Sequence, residues 1–295
     1  MMIWKKRELR WNFMIKDKSF LIVGLGLLGG SIAMGLKKWN HRVYAIDIDP
    51  KAIDYALEKG IVDEGSTIAD GQLIGKADVI ISGLYPSLIV DWIDKNQQYF
   101  KSGALVTDVT GVKGAIVDKI QNILRPDCEF IGVHPMAGKE VSGVQYADPS
   151  IFLPANLIIT PTGKNTQSAV DFIYEMGKEL RFNNICQLSV AEHDKMIGYL
   201  SQLTHVIAVS LMNANDSQHL KEYTGDSFRD LTRIAKINEN LWTELFLLNK
   251  ENLVAEIETF VDEMNDFKAA LQAEDTEKMK QKFITSTTRR KYFDK

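Results

Sequence analysis

Residues 20–36 read FLIVGLGLLGGSIAMGL. Four apolar residues lead directly into Gly24, Gly26 and Gly29, and apolar positions at helical spacing follow. A Gly-x-Gly-x-x-Gly triplet alone is a weak signal, but between a strand and a helix each glycine has a physical role. Gly24 permits a tight turn. Gly26 places no side chain in the path of a pyrophosphate, and Gly29 lets the helix lie close on the strand. The helix opening at Leu27 and Leu28 then presents unbonded N–H groups and a partial positive charge to phosphate. The rival reading is a glycine-rich turn that binds nothing.

The alternation continues outward from this turn. Short apolar runs at Phe20–Gly24, Arg42–Asp47, Asp78–Ser82, Ala104–Asp108 and Glu129–Val133 are separated by helical patterns near 28–38, 50–59, 87–98 and 112–123. Runs this short and apolar suit strands buried on both faces, which predicts an α/β fold with a Rossmann-type parallel sheet. Further strands are expected at Asn156–Thr160 and Phe182–Leu188, with a helix near 165–179. After Ser189 the pattern is helical almost throughout, without proline. The predicted division is a dinucleotide-binding domain over 1–189 and an all-helical substrate and dimerisation domain over 190–295.

The second run, RVYAID, ends at Asp47. A carboxylate there accepts hydrogen bonds from ribose hydroxyls and repels a 2′-phosphate, and the next residue is Ile48 rather than arginine. NAD is therefore expected in preference to NADP. Asp49-Pro50 reads instead as the cap and first turn of the next helix.

A net charge of −4 argues against general binding of nucleic acid or anionic membrane. Cys128 and Cys186 each sit in an apolar run and form no C-x-x-C pair or Cys/His cluster, so no metal site and no disulfide is expected. That cysteine usage suits the cytoplasm. No apolar stretch reaches the roughly 18 residues of a membrane span. The basic N-terminus lacks the apolar centre of a signal peptide. Met14 opens a more ordinary start, which makes 1–13 either an extension or a short amphipathic segment. No regulatory domain is expected after the helical region.

Ligands in open α/β sheets bind at the carboxyl ends of the strands. Gly24–Gly29, Asp47, Gly83–Pro86, Asp108–Lys113 and His134–Glu140 all fall there. A lone histidine is more often structural, but His134 on this rim is placed to act as a general base. In the helix near 190–214, Met196, Leu200, Leu203, Ile207 and Leu211 form an apolar stripe, with Asp194, Ser201 and His205 roughly opposite. Such a face meets either solvent or a cleft. Ser227 to Asp230 reads as a capping box opening a helix that carries Arg229, Arg233 and Lys236 on one face. A face of like charge is usually solvated, yet arginine also suits bidentate carboxylate binding.

Five segments make the reading specific: GLGLLGGSIA (24–33), TDVTGVKG (107–114), HPMAGKEVSG (134–143), EHDKMIGYLSQLTH (192–205) and FRDLTRIAKINENLW (228–242). Together they resemble the prephenate/arogenate dehydrogenase family over essentially the whole chain beyond Met14. The resemblance implies a Rossmann domain joined to a helical dimerisation domain, NAD as cofactor and a homodimer. It implies that the reaction is oxidative decarboxylation of prephenate to 4-hydroxyphenylpyruvate, in tyrosine biosynthesis. His134 matches the catalytic histidine, Arg233 a carboxylate anchor, His205 a substrate-contacting histidine, Glu140 an active-site acid and Trp242 a packing residue near the cleft. Ser201 is carried with them as substrate-binding. Arogenate, or another small acid with NAD(P), is the alternative substrate, and a non-catalytic NAD-binding protein is the rival of a different class.

One position departs from the family pattern. Many members have serine two residues before the lysine that is Lys113 here, where it orients the ring hydroxyl and the histidine. This chain has Gly111 there, with the nearest hydroxyl on Thr110. Either Thr110 substitutes for it, or the orienting bond comes from elsewhere.

Overall fold

The computed structural model describes Ile15 and residues 17–293, so the reading of 1–13 lies outside the described residues. Eight strands form one sheet in the order β3-β2-β1-β4-β5-β6-β7-β8. They are β1 (Ser19–Val23), β2 (Arg42–Ile46), β3 (Glu64–Ser66), β4 (Val79–Ser82), β5 (Leu105–Asp108), β6 (Glu129–Pro135), β7 (Asn156–Thr160) and β8 (Asn184–Gln187). The first six are parallel, in the strand order of dinucleotide-binding sheets, and the order reverses between β1 and β4.

Alternate side chains of each central strand enter two separate cores. Phe20, Ile22, Val43, Ala45, Val79, Ile81, Ile131 and Val133 pack on one face. Helices α1 (Leu27–Lys38) and α2 (Pro50–Glu58) cover that face, together with α6 (Gln167–Glu179). Leu21, Val23, Tyr44, Ile46, Ile80, Val106 and Phe130 pack on the other, under α3 (Gly71–Ile74), α4 (Pro86–Asn96) and α5 (Val117–Ile123). Burial on both faces explains why these strands read as continuous apolar runs. The Asp49 side chain accepts from the Lys51 N–H and caps α2, with Pro50 in its first turn.

The parallel pattern stops at β6. β7 runs antiparallel to it, with Gly132 opposite Thr160 and Pro135 opposite Leu157. A parallel strand would need a crossover helix. The connection over 136–155 holds only two short 3₁₀ turns, Val144–Tyr146 and Pro149–Phe152, so β7 starts beside the end of β6. This keeps the loop carrying Glu140 on the rim. Its Val144 and Ala147 press on α1 at Gly30, where an added Cβ would lie 3.0 and 2.8 Å from them. The Ser31 hydroxyl accepts from the Asp148 N–H there.

Beyond β8 the described chain is helical: α7 (Val190–Ile197), a π-helical stretch (Gly198–Leu203), α8 (Thr204–Asn213), α9 (Leu220–Tyr223), α10 (Asp226–Thr232) and α11 (Glu239–Leu248). These pack with the sheet as one compact unit up to Asn249. A second unit from Lys250 holds α12 (Lys250–Gln272) and α13 (Thr276–Arg290). Within it Phe267 meets Phe283, while Lys278 and Lys282 pair with Asp266. Val254, Val261, Met264, Leu271, Phe283 and Ile284 are exposed.

Two expectations for this region are corrected. A single α-helix over 190–214 would bury the Met196–Leu211 stripe. Leu203 of that stripe is buried, but Met196 and Leu200 are exposed, and His193, Asp194, Ile197, Gln202 and Ala208 are buried instead. The π stretch bonds i to i+5 and so rotates the faces on either side of it. The helix expected to open at Ser227 starts at Asp226, with Gly225 as its cap and no side-chain capping bond. It ends at Thr232, and Arg233–Ala235 is a 3₁₀ turn. Arg229, Arg233 and Lys236 therefore do not share one helical face.

Candidate active site

The turn after β1 is built as a dinucleotide cradle. Gly24 has φ +95°, which favours glycine, and its N–H donates to the Ile46 carbonyl. A Cβ on Gly29 would lie 2.1 Å from the Gly24 carbonyl oxygen, so only glycine lets α1 approach β1 this closely. Around Gly26 nothing lies within 4 Å of an added Cβ. Gly26 caps α1 without any side-chain bond, so the first N–H groups of the helix, at Leu27 and Leu28, have no intrahelical partners. Asp47, at the end of β2, accepts from the Leu25 N–H at 2.6 Å and the Asp49 N–H at 2.9 Å. These bonds fix the carboxylate beside the glycine turn and leave lone pairs for ribose hydroxyls. Ile48 is 90% exposed and brings no cation for a 2′-phosphate. The cradle, the free helix start and the acid together fit NAD.

His134 lies in β6, on the same rim. Its Nδ1 is 2.9 Å from Nε2 of His193 in α7. His193 Nδ1 is in turn 2.7 Å from Asp194 Oδ1. The Asp194 carboxylate also accepts the Lys113 N–H at 2.9 Å and the Gly114 N–H at 2.7 Å. Burial works to raise the Asp194 pKa, but hydrogen bonds from His193, Gly114 and Lys113 hold it below the ordinary carboxylate value. Burial pushes the His134 pKa well below the usual 6.5, helped by His193 and the Lys113 ammonium. Burial also lowers His193, against the pull of Asp194. Both imidazoles are therefore neutral near pH 7.

Beneath His134 lies a buried polar knot. Lys113, fully buried, donates from Nζ to Asp108 Oδ2 and to the Val133 carbonyl, both at 2.5 Å. Burial lowers its pKa, while Asp108 acts in the opposite sense. The Thr110 hydroxyl lies 2.5 Å from Asp108 Oδ2 and 2.9 Å from the Val112 carbonyl. It is committed there and does not replace the hydroxyl missing at Gly111.

The helical segments supply the facing side. His205 Nδ1 donates to the Ser201 carbonyl at 2.9 Å. Trp242 of α11 lies against His205 with ring centroids 3.7 Å apart. Burial lowers the His205 pKa, opposed by the Ser201 carbonyl and the Glu140 carboxylate. Arg233 is ion-paired with Glu140. Leu245, one turn after Trp242, reaches within 3.5 Å of where a Cβ on Gly111 would stand, and that point is 3.9 Å from His134 Cε1. Thus α11 touches both the His205 side and the His134 side. The same turn is docked on α4, where Glu244 accepts from the Ser87 N–H at 2.5 Å and from its hydroxyl at 3.2 Å.

Residues 32–184 match the family model described as prephenate dehydrogenase, nucleotide-binding domain, and residues 189–285 match prephenate dehydrogenase, dimerization domain. The chain belongs to the prephenate dehydrogenase family. It is 31% identical to a prephenate dehydrogenase of Bacillus subtilis (strain 168), over 92% of this chain and 75% of that one. Identity is also 31% to the prephenate dehydrogenase of Lactococcus lactis subsp. cremoris (strain MG1363), over 88% and 73%. The crystal structure of prephenate dehydrogenase from A. aeolicus, in complex with hydroxyphenyl propionate and NAD+, superimposes with TM-score 0.86. It is 30% identical, over 95% of this chain and 99% of that one.

Reasoning from the sequence missed His193 as a site residue. Its signal was present in the family segment EHDKMIGYLSQLTH, beside Asp194, which falls on the polar face. Asp194 was read as part of that face without a role. Gln202 and Asn249 were also missed: Asn249 donates to Gln202 Oε1 at 2.7 Å and to the Asp194 carbonyl at 2.9 Å. Gln202 donates to the Leu245 carbonyl at 2.9 Å, and these bonds hold α7 and the π stretch on α11. Among the described residues no group of His, Cys, Asp and Glu is arranged to hold a metal ion.

Proposed function

We propose that this chain is an NAD-dependent prephenate dehydrogenase that converts prephenate to 4-hydroxyphenylpyruvate in tyrosine biosynthesis. The observation that carries the proposal is His134. It is a neutral imidazole on the rim that holds the Gly24–Gly29 cradle, engaged through Nδ1, and among the described residues nothing is hydrogen-bonded to its Nε2.

Prephenate is a cyclohexadienol with a carboxylate on the ring carbon opposite the hydroxyl. NAD, held by Gly24, Gly26, Leu27, Leu28, Gly29 and Asp47, supplies the hydride acceptor when bound. His134 Nε2 takes the ring-hydroxyl proton as positive charge develops on the carbinol carbon, a role worth about 10²–10⁴-fold in rate. Loss of CO2 makes the ring aromatic and draws the reaction forward. Arg233 and His205 bind substrate carboxylates and align the ring, with Trp242 packed behind His205. Glu140 holds Arg233 until a substrate carboxylate replaces it.

The same reading assigns 1–189 to the dinucleotide-binding domain and 190–295 to the helical domain. It also makes the enzyme a homodimer, supported by the dimerization-domain match and the exposed apolar side chains of α12 and α13. We place it in the cytoplasm: Cys128 and Cys186 are unpaired thiols, and no described helix is long and apolar enough to cross a membrane. Steady-state NADH formation with prephenate and with arogenate, each with NAD and NADP, tests the proposal. Turnover of prephenate with NAD above the other three combinations is expected. Preference for arogenate or NADP, or no turnover at all, would overturn it.

A further inference from the structure

Three facts about the surroundings of His134 combine. Gly111 carries no hydroxyl, the Thr110 hydroxyl is committed to Asp108 and Val112, and Nδ1 of His134 meets His193 at 2.9 Å. The direction of each proton in the His134–His193–Asp194 chain follows from the far end. Asp194 already accepts two backbone N–H groups and is ionised, so it can only accept from His193. His193 therefore carries its proton on Nδ1 and, being neutral, offers a bare Nε2. His134 must then carry its own proton on Nδ1, which leaves Nε2 as the basic nitrogen.

We propose that His193, backed by Asp194, is the positioning residue that fixes the tautomer and ring orientation of His134 in this chain, in place of a hydroxyl at position 111. The inference rests on the assignment of His134 as the base. His193 is 0% exposed and touches His134 only from behind, so it does not contact substrate. The charged and titratable groups facing His134 are His193 from α7 and Lys113 from the turn after β5, with Asp194 and Asp108 behind them. Because Asp194 also accepts both N–H groups at Lys113 and Gly114, one carboxylate ties α7 to the turn under the base.

Two substitutions separate positioning from packing. An asparagine amide overlays Nδ1 of histidine, so His193→Asn keeps the bond to Asp194 and loses the one to His134. A glutamine amide overlays Nε2, so His193→Gln keeps an acceptor for His134 and loses Asp194. His193→Asn should lower kcat about 10- to 100-fold, as loss of an orienting partner does elsewhere, with KM for prephenate and NAD within about twofold. His193→Gln should retain more kcat than His193→Asn. The acid limb of the kcat profile should move down in pH in His193→Asn, since a neutral His193 accepting from Nδ1–H favours the charged form of His134 and that acceptor is lost. Histidine 15N spectra of the unliganded wild-type enzyme should show His134 protonated on Nδ1, a readout that needs no turnover and decides even if a variant fails to fold. Protonation on Nε2 in wild type, an Asn variant as active as wild type or more active than Gln, or a loss seen only in KM would each overturn the proposal. A wild-type enzyme with the expected tautomer but no activity on prephenate would fault the proposed reaction instead.

Discussion

Arg233 and Glu140, 93 positions apart in sequence, form an ion pair that joins the helical segments to the loop after β6. The arginine is more than half exposed, so its value lies in what it can bind rather than in stability. Arg233→Ala should raise KM for prephenate by about tenfold or more and leave the Kd for NAD unchanged, because the guanidinium is paired with Glu140 and not with a group of the glycine cradle. Titration of NAD by fluorescence, beside steady-state kinetics, checks this. Equal loss of NAD affinity would remove Arg233 from the anchor role.

The cradle glycines make separable predictions. Gly26→Ala meets open space at φ −76°, so its Tm should stay at the wild-type value while NAD binding weakens, as the methyl group enters the path of the pyrophosphate. Gly29→Ala places a Cβ 2.1 Å from a backbone oxygen, and α1 must move away from β1. A loss of about 1–3 kcal/mol is expected, with NAD binding reduced as well. Thermal melts with and without NAD distinguish the two. A Gly29→Ala protein as stable as wild type would contradict the close packing.

Most of the sheet was legible in the sequence because its strands are buried on both faces and so are apolar throughout. β3 escaped notice because it is three residues long, with Gly65 at its centre. The direction of β7 was not legible, since an apolar run carries no sign of parallel or antiparallel pairing. The Gly24–Gly29 turn and Asp47 could be placed from spacing alone, because strand, turn and helix are contiguous there. The far half of the site could not. Helical periodicity assumes 3.6 residues per turn, and the π stretch at Gly198–Leu203 breaks that phase, so the apolar stripe holds at Leu203 but fails at Met196 and Leu200. His193 was overlooked because polar residues are read as solvated, whereas here Asp194, Gln202 and Asn249 satisfy one another inside the protein.

Stability should fall as pH drops from 7 to 5. His134, His193 and His205 all have pKa values below the ordinary 6.5, chiefly through burial. In that window the unfolded chain binds protons that the native state refuses, so acid favours unfolding, and the stability present above pH 6.5 is lost through the depressed values. Asp63, Asp78 and Asp194 are also depressed, but their contributions disappear only below the ordinary 3.8. Tm measured at intervals of pH should therefore decline in two stages, and His193→Gln should shallow the first. A Tm that is flat or rising from pH 7 to 5 would contradict the neutral, buried histidine cluster.

The most direct test is the turnover of His134→Asn on prephenate with saturating NAD. Removing the proton acceptor should cut kcat by about 10²–10⁴-fold while KM for prephenate stays within a few-fold, because the group acts in the transition state and not in binding. A variant that retains near-normal kcat would show that the ring-hydroxyl proton leaves by another route, and that the imidazole at the end of β6 is not the base.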